Sequence, residues 1–244
     1  MHSPALAAAL ADIDTVFNGF ASPDETGCEH CFRPEETAYL RTPYTRLPLD
    51  VLRRFVFKTP GHFEDHAAVV RRLLPQTAHA LADGALEDVG WAVPGLARVA
   101  WRAWPPRQAE AVETFVHAWW QDVLTTSDPP YPVYDVFEIC AGILATITPL
   151  LDLWRPGPVP DAHLAVCTDH WLHEYVRDEP PFLCWDGADE PAVVAQHQAW
   201  LAEHAPARLR AVGHPDLGRR AALLGRPYDE RWAHPYWYGP SATS

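Results

Sequence analysis

The chain of 244 residues is predicted to fold as an all-α protein. Apolar residues recur at helical spacing along most of the sequence, and no two alternating runs joined by a hairpin turn are present. Prolines recur where helices would begin, at positions 4, 34, 48, 94, 106, 132, 160, 191 and 215. We expect one irregular domain of stacked helical pairs over residues 1–226, or a solenoid-like variant of it, with an aromatic tail at 227–244 packed partly on the domain.

The segment from Tyr134 to Trp154 is the predicted central helix. Residues 139–151 within it carry no charge and leave no polar stripe, and a helix of that kind is buried among other helices. The apolar stretch is too short to span a bilayer, for which about 20 apolar residues are required. Pro132 suits the first turn, and Pro149 predicts a kink or a restart.

The other helices are predicted from the same patterns. Ser3 as N-cap and Pro4 open the first helix, and the turn at residues 18–19 closes it. The helix that begins at Pro106 has the clearest amphipathic pattern. The helices with predicted ends cover about 62–82, 94–104, 160–177, 191–204 and 215–224.

The charge and the cysteine content limit the classes of partner and the compartment. The formal net charge is -13, from 32 acidic against 19 basic residues, which disfavours a surface that follows nucleic-acid phosphates. The apolar N-terminal run has no preceding Lys or Arg, so we recognise no secretion signal. The five cysteines are therefore expected to be thiols in a reducing cytosol. We expect a cytoplasmic protein with a protein partner and without nucleic-acid or membrane partners.

The motif Cys28-Glu29-His30-Cys31 is the main candidate for chemistry. Two thiolates separated by two residues in a tight turn can bind one tetrahedral zinc ion, so Cys28 and Cys31 are the predicted metal ligands. This pair supplies half of a site. The remaining ligands would come from a set that comprises His30, His62, His66, Cys140, Cys167, Cys184 and more distant histidines. The alternative is a pair of free thiols in a loop. A thioredoxin-type redox role is disfavoured, because it normally occurs at a strand-to-helix junction.

The loop that carries the motif, residues 19–33, has only two large apolar side chains, Phe20 and Phe32. Burial alone is therefore expected to hold it poorly. A metal that joins the two thiolates to groups on the helices would supply the missing constraint. We expect the cysteines to act as a pair that holds this loop against the helical body.

Two further polar clusters are interpreted as structural. His62 and His66 lie four residues apart, but a zinc-protease helix needs Glu directly after its first His, where Phe63 stands here. We therefore favour two solvated histidines near a helix start. The second cluster forms a stripe at helical spacing, which we interpret as Cys167 in the core and the other members at a wet edge rather than as a metal or proton-transfer cleft. Its members are His163, Cys167, His170 and Glu174.

Six short segments of the first half form a recognisable set. They are Gly27-Cys28-Glu29-His30-Cys31, Leu47 to Phe55, Phe57-Lys58-Thr59, Leu73-Leu74-Pro75, Trp101 to Pro105, and Ala118-Trp119-Trp120. Together they resemble a family of uncharacterised bacterial all-helical proteins. The sequence departs from the pattern of that family at Gln76 and at Pro60-Gly61. The resemblance implies an all-helical bacterial domain in which the paired cysteines are a shared feature, and it implies no activity.

The sequence leads to two functional hypotheses of different classes. The first is a non-enzymatic module that binds another protein in a groove between helical pairs, because the polar groups form no complete catalytic set. The alternative is a zinc-binding protein, or a metal-dependent enzyme, that uses Cys28 and Cys31. Elemental analysis of the purified protein distinguishes the two.

Overall fold

The all-α class is confirmed by a computed structural model, which describes residues 2–87, 89–92, 94–180 and 190–238. No strand occurs among these residues. Cys184, with the rest of residues 181–189, and the last residues of the tail lie outside the described part. The described helices are α1 (Pro4–Val16), α2 (Pro34–Arg41), α3 (Leu49–Val56), α4 (His66–Ala82), α5 (Pro106–Thr125), α6 (Val133–Leu144), α7 (Thr148–Leu153), α8 (Pro158–Tyr175), α9 (Glu190–Ala211), α10 (Pro215–Leu223) and α11 (Tyr228–Trp232).

The chain divides into two compact units, residues 1–150 and 151–244, a division that falls inside the predicted domain 1–226. In the first unit α5 packs against α1 and α6, and α1 also contacts α4. Helices far apart in sequence are therefore neighbours in space, whereas each repeat of a solenoid contacts only the adjacent repeats. The first unit is an irregular bundle.

The predicted central segment is buried, as expected, but it consists of two helices. Ala145 adopts a left-handed conformation with φ of 50° and ends α6, and α7 restarts with Pro149 in its first turn. The carbonyl groups that the helix ends leave unpaired accept hydrogen bonds from buried indoles. Trp101 Nε1 donates to the Ile143 oxygen at 2.8 Å, and Trp120 Nε1 donates to the Leu150 oxygen at 3.0 Å.

Two predicted boundaries in the first unit are wrong. The helix expected from His62 begins at His66, because the Asp65 side chain caps it by accepting from the Ala68 N–H at 2.9 Å. Residues Pro60–His62 form a separate 3-10 turn. The segment expected as one helix over 94–104 consists of two short 3-10 helices, Gly95–Arg98 and Trp101–Ala103.

In the second unit, α9 packs against α8 and α10. The close approach of α10 requires Gly218, because a Cβ there would lie 2.9 Å from the carbonyl oxygen of Pro206. The predicted end of α9 at residue 204 is seven residues early, since the helix continues past Pro206 to Ala211. Part of the predicted tail packs within this unit, where the buried Arg231 donates to the carbonyl oxygen of Tyr175 at 2.9 Å.

Candidate metal centre

Cys28, Cys31 and His62 lie together in the first unit. One ligand atom from each side chain, sulfur or ring nitrogen, lies within 4.8 Å of the other two. Cys31 Sγ and His62 Nδ1 lie 3.4 Å apart. All three side chains are half-buried, so the protein encloses one side of the group and the other side is accessible to an ion.

The backbone of the loop brings these residues together. The Cys28 N–H donates to the His62 carbonyl oxygen at 3.0 Å, which ties the cysteine loop to the 3-10 turn before α4. The N–H groups of Cys31 and Phe32 both donate to the Cys28 carbonyl oxygen at 2.9 Å, which forms the tight turn between the two cysteines. The geometry of the site is thus fixed by main-chain hydrogen bonds.

Glu25 joins the two segments that carry the ligands. Its side chain is 1% exposed, and its carboxylate accepts three main-chain N–H groups. Oε1 accepts from Gly27 at 2.8 Å and from Glu64 at 3.1 Å, and Oε2 accepts from Asp65 at 3.2 Å. Charge-assisted hydrogen bonds of this kind are stronger than neutral ones. Glu25 therefore positions the cysteine loop against the two residues that follow Phe63, on the C-terminal side of His62.

The loop is attached to the helices by contacts that its sequence does not reveal. Phe32 is 4% exposed, and its ring centroid lies 4.6 Å from that of Phe55 and 5.7 Å from that of Phe63. Arg41 adds a hydrogen bond of 2.7 Å to the Glu25 carbonyl oxygen. One buried aromatic side chain and one buried carboxylate therefore attach the loop to the helices, and whether a metal adds to this attachment stays a prediction.

The electrostatics of the site favour a thiolate. The pKa of Cys28 is lowered to about 7, first by a hydrogen bond with the His62 side chain, then by the main-chain N–H groups of His30 and Cys31. The thiolate is the form of cysteine that binds metals and acts as a nucleophile. The Cys28 side chain therefore carries the negative charge that a metal cation requires at a lower pH than an ordinary thiol does.

The other predicted ligands lie elsewhere. His66 starts α4 and stacks on Phe63 with a centroid distance of 5.3 Å, so it shares no helical face with His62. His30 is exposed between the two cysteines. Cys140 and Cys167 are buried in α6 and α8. Within the described residues, the group that could hold a metal ion is Cys28, Cys31 and His62.

The stripe at His163, Cys167, His170 and Glu174 lies on α8, in the second unit. Cys167 is buried there, as expected for a small core residue, but His163, which we expected at the wet edge, is buried as well. The stripe belongs to no metal-capable group among the described residues.

Comparison of the chain with protein-family models, with curated proteins and with solved structures finds no match. None of the described helices has the length and apolar character needed to cross a membrane. Function is therefore argued from the chemistry of the site.

Proposed function

We propose that this protein binds a zinc ion through Cys28, Cys31 and His62. The separation of Cys31 Sγ and His62 Nδ1 is the observation that carries the proposal. With zinc–sulfur bonds of about 2.3 Å and zinc–nitrogen bonds of about 2.0–2.1 Å, two ligands of a tetrahedral ion lie roughly 3.5 Å apart. The 3.4 Å between these two atoms matches that value without any rearrangement.

The donor set supports zinc over the alkaline-earth ions. Thiolate and imidazole are ligands for zinc and other late transition metals, whereas magnesium and calcium take oxygen ligands. The lowered pKa of Cys28 reduces the cost of releasing its proton when the metal binds. A reducing cytosol, the compartment expected from the cysteine content, would keep both thiols available.

Three protein ligands leave one position of a tetrahedral ion open. Among the residues that the structure describes, no fourth His, Cys, Asp or Glu joins the group. Three protein ligands plus water are typical of catalytic zinc sites, and four protein ligands are typical of structural ones. The proposal is therefore a zinc site whose fourth ligand is exchangeable, supplied by water or by a group on a partner.

Elemental analysis of the purified protein tests this proposal. We expect one equivalent of zinc, and we expect the metal-free protein loaded with cobalt(II) to show the visible absorption of a tetrahedral thiolate site until zinc displaces the cobalt. Cys28→Ser should abolish the stoichiometric metal. His62→Ala should weaken binding more than roughly 100-fold, because even the outer-shell partners of metal ligands contribute 10- to 100-fold.

His30→Ala is the matched control for that experiment. It removes an exposed imidazole between the same two cysteines and should leave both stoichiometry and affinity unchanged. Metal-free protein from zinc-supplemented cells, or equal affinity of His62→Ala and His30→Ala, would contradict the proposal.

The protein-interaction hypothesis stays a prediction beside this proposal. Zinc binding and partner binding are compatible, since an exchangeable fourth position can accept a side chain from another chain. Native pull-down with the zinc-loaded protein and with Cys28→Ser tests both together. Recovery of the same partner with both proteins would show that the partner does not use the metal.

A further inference from the structure

A cavity of about 500 Å³ opens in the first unit, apart from the cysteine site. Its walls come from the end of α1 and the turn after it, the loop between α2 and α3, and one side of α4. Cavities of roughly 300–1,000 Å³ with a few converging polar groups are the usual size for small-molecule sites. The charged side chains at this cavity indicate which ligand it would take.

Arg72 of α4 lines the cavity and is only 8% exposed. Its Nε donates to the Thr42 carbonyl oxygen at 3.1 Å, and its Nη2 donates to the Thr45 carbonyl oxygen. No described carboxylate forms an ion pair with it, and burial lowers its pKa. Buried charges are normally paired with a counter-charge. The guanidinium of Arg72 keeps its Nη1 donor group without a described protein acceptor.

Arg46 lines the same cavity from the loop between α2 and α3. It is exposed, and its side chain makes no ion pair or hydrogen bond within the described ranges. Two carboxylates also line the cavity, but each faces a histidine. Asp14 Oδ2 lies 3.0 Å from His79 Nε2, and Asp83 Oδ1 lies 2.9 Å from His2 Nε2. Arg72 and Arg46 are therefore the charged groups of this cavity that have no described carboxylate partner.

Tyr44 gives the cavity wall an unusual backbone conformation. Its φ is 62°, which is rare for a bulky residue, and such conformations are concentrated at ligand sites. Its side chain is 76% exposed and lies against Gly19, whose own φ is 76°. A Cβ at Gly19 would overlap the Tyr44 hydroxyl group. The exposed ring of Tyr44 and the half-buried ring of Phe20 offer apolar surface beside the arginines.

We infer that this cavity binds a small organic monocarboxylate. The carboxylate of the ligand pairs with Arg72 and Arg46, and its apolar body lies against Tyr44 and Phe20. Arginine is suited to this role because its planar donor groups match a carboxylate. The carboxylates of Asp14 and Asp83 disfavour a second negative charge on the ligand, so monocarboxylates bind better than dicarboxylates.

Isothermal titration calorimetry with three aromatic probes tests the inference. Benzoate carries one carboxylate, phthalate carries two, and benzyl alcohol has the same ring without a charge. We expect saturable binding of benzoate at one site, at least fivefold weaker binding of phthalate, and no measurable binding of benzyl alcohol. Absence of benzoate binding to the parent protein at 10 mM ligand, roughly the weakest range for a fragment of this size, would overturn the inference.

Charge reversal identifies the site without risk to the fold. Arg46→Glu changes an exposed residue that has no described side-chain contact, and it should weaken benzoate binding at least tenfold. Arg98→Glu is the matched control, because Arg98 is exposed in the same unit and does not line the cavity. The control should change benzoate affinity less than twofold. If both substitutions weaken benzoate binding equally, the change in affinity comes from the net charge of the protein, and the proposed site is refuted.

Arg72→Gln provides the second test, because it removes the buried charge itself. We expect loss of benzoate binding while the circular dichroism spectrum and the thermal unfolding transition stay at the parent values, which shows that the variant remains folded. If this variant fails to fold, benzoate-induced amide shifts in the parent protein decide instead. They should be confined to residues of the cavity walls, and shifts elsewhere would overturn the inference.

Discussion

Glu25→Gln is the substitution that tests how the metal centre is held in place. The glutamine has the size of the glutamate but lacks its charge, and one of its two terminal atoms is a donor. That amide nitrogen would face a main-chain N–H of Gly27, Glu64 or Asp65. A buried donor is therefore left against another donor at the junction of the two ligand-bearing segments.

The magnitude follows from the bonds that change. If the glutamine oxygen keeps the bonds with Gly27 and Glu64, the bond with Asp65 is lost. A hydrogen bond to a charged group contributes about 1.5–3 kcal/mol, so we expect the free energy of unfolding to fall by about that amount. Zinc affinity should fall by roughly 10- to 100-fold, as for other residues that orient metal ligands.

Chemical denaturation and competition with a zinc chelator measure the two effects. Glu29→Gln is the control, because it removes the same charge from an exposed residue next to Cys28 and touches none of the three N–H groups. A purely electrostatic role would weaken zinc binding equally in both variants. That result, or an unchanged free energy of unfolding for Glu25→Gln, would refute the positioning role.

Three further predictions concern the first unit. Ile143→Ala should lower the free energy of unfolding by about 2–5 kcal/mol, because Ile143 is buried in α6. Leu49→Ala, at an exposed position, should lower it by less than about 0.5 kcal/mol. Thermal melts of the two variants measure this difference. In metal-free protein, the alkylation rate of Cys28 should rise with increasing pH, with a midpoint near pH 7. His62→Ala should shift this midpoint to higher pH, since the hydrogen bond with His62 is the main cause of the low pKa of Cys28. An unchanged midpoint in the variant would contradict that cause. Burial opposes ionisation of Glu36, but hydrogen bonds from Arg33 and Arg54 outweigh it and lower the pKa of Glu36 to about 2. Because this pKa is lower in the folded than in the unfolded chain, the ionised Glu36 adds stability that is lost as pH falls from about 4.5 towards 2. Glu36→Gln should therefore reduce the pH dependence of the free energy of unfolding in that window.

The sequence predicts most helix starts correctly because proline acts locally. It has no N–H to satisfy and a fixed φ, so Pro4, Pro34 and Pro215 each begin a helix as expected. Helix ends are predicted less accurately, because tertiary packing decides where a helix stops. The continuation of α9 past Pro206 is an example, since its contact with α10 lies at that proline.

The candidate site is predicted only in part from the sequence, because tertiary packing decides which residues meet there. Cys28 and Cys31 are found from their spacing, but His62 is one of several candidate histidines until the fold brings it to Cys31. Glu25 and Arg72 carry no local pattern at all. A buried carboxylate in a turn and a buried arginine on an amphipathic helix are recognisable only from their tertiary partners.

The attachment of His62 to the cysteine loop gives the proposed metal a topological effect. Cys31 and His62 are 31 positions apart, and the chain between them contains α2 and α3. An ion held by both residues closes that loop as a covalent cross-link would. By the entropy estimate for such closures, the unfolded chain loses conformational freedom worth roughly 4 kcal/mol. Metal binding in an early, still expanded chain would therefore bring α2 and α3 together as a closed segment before the remaining helices pack.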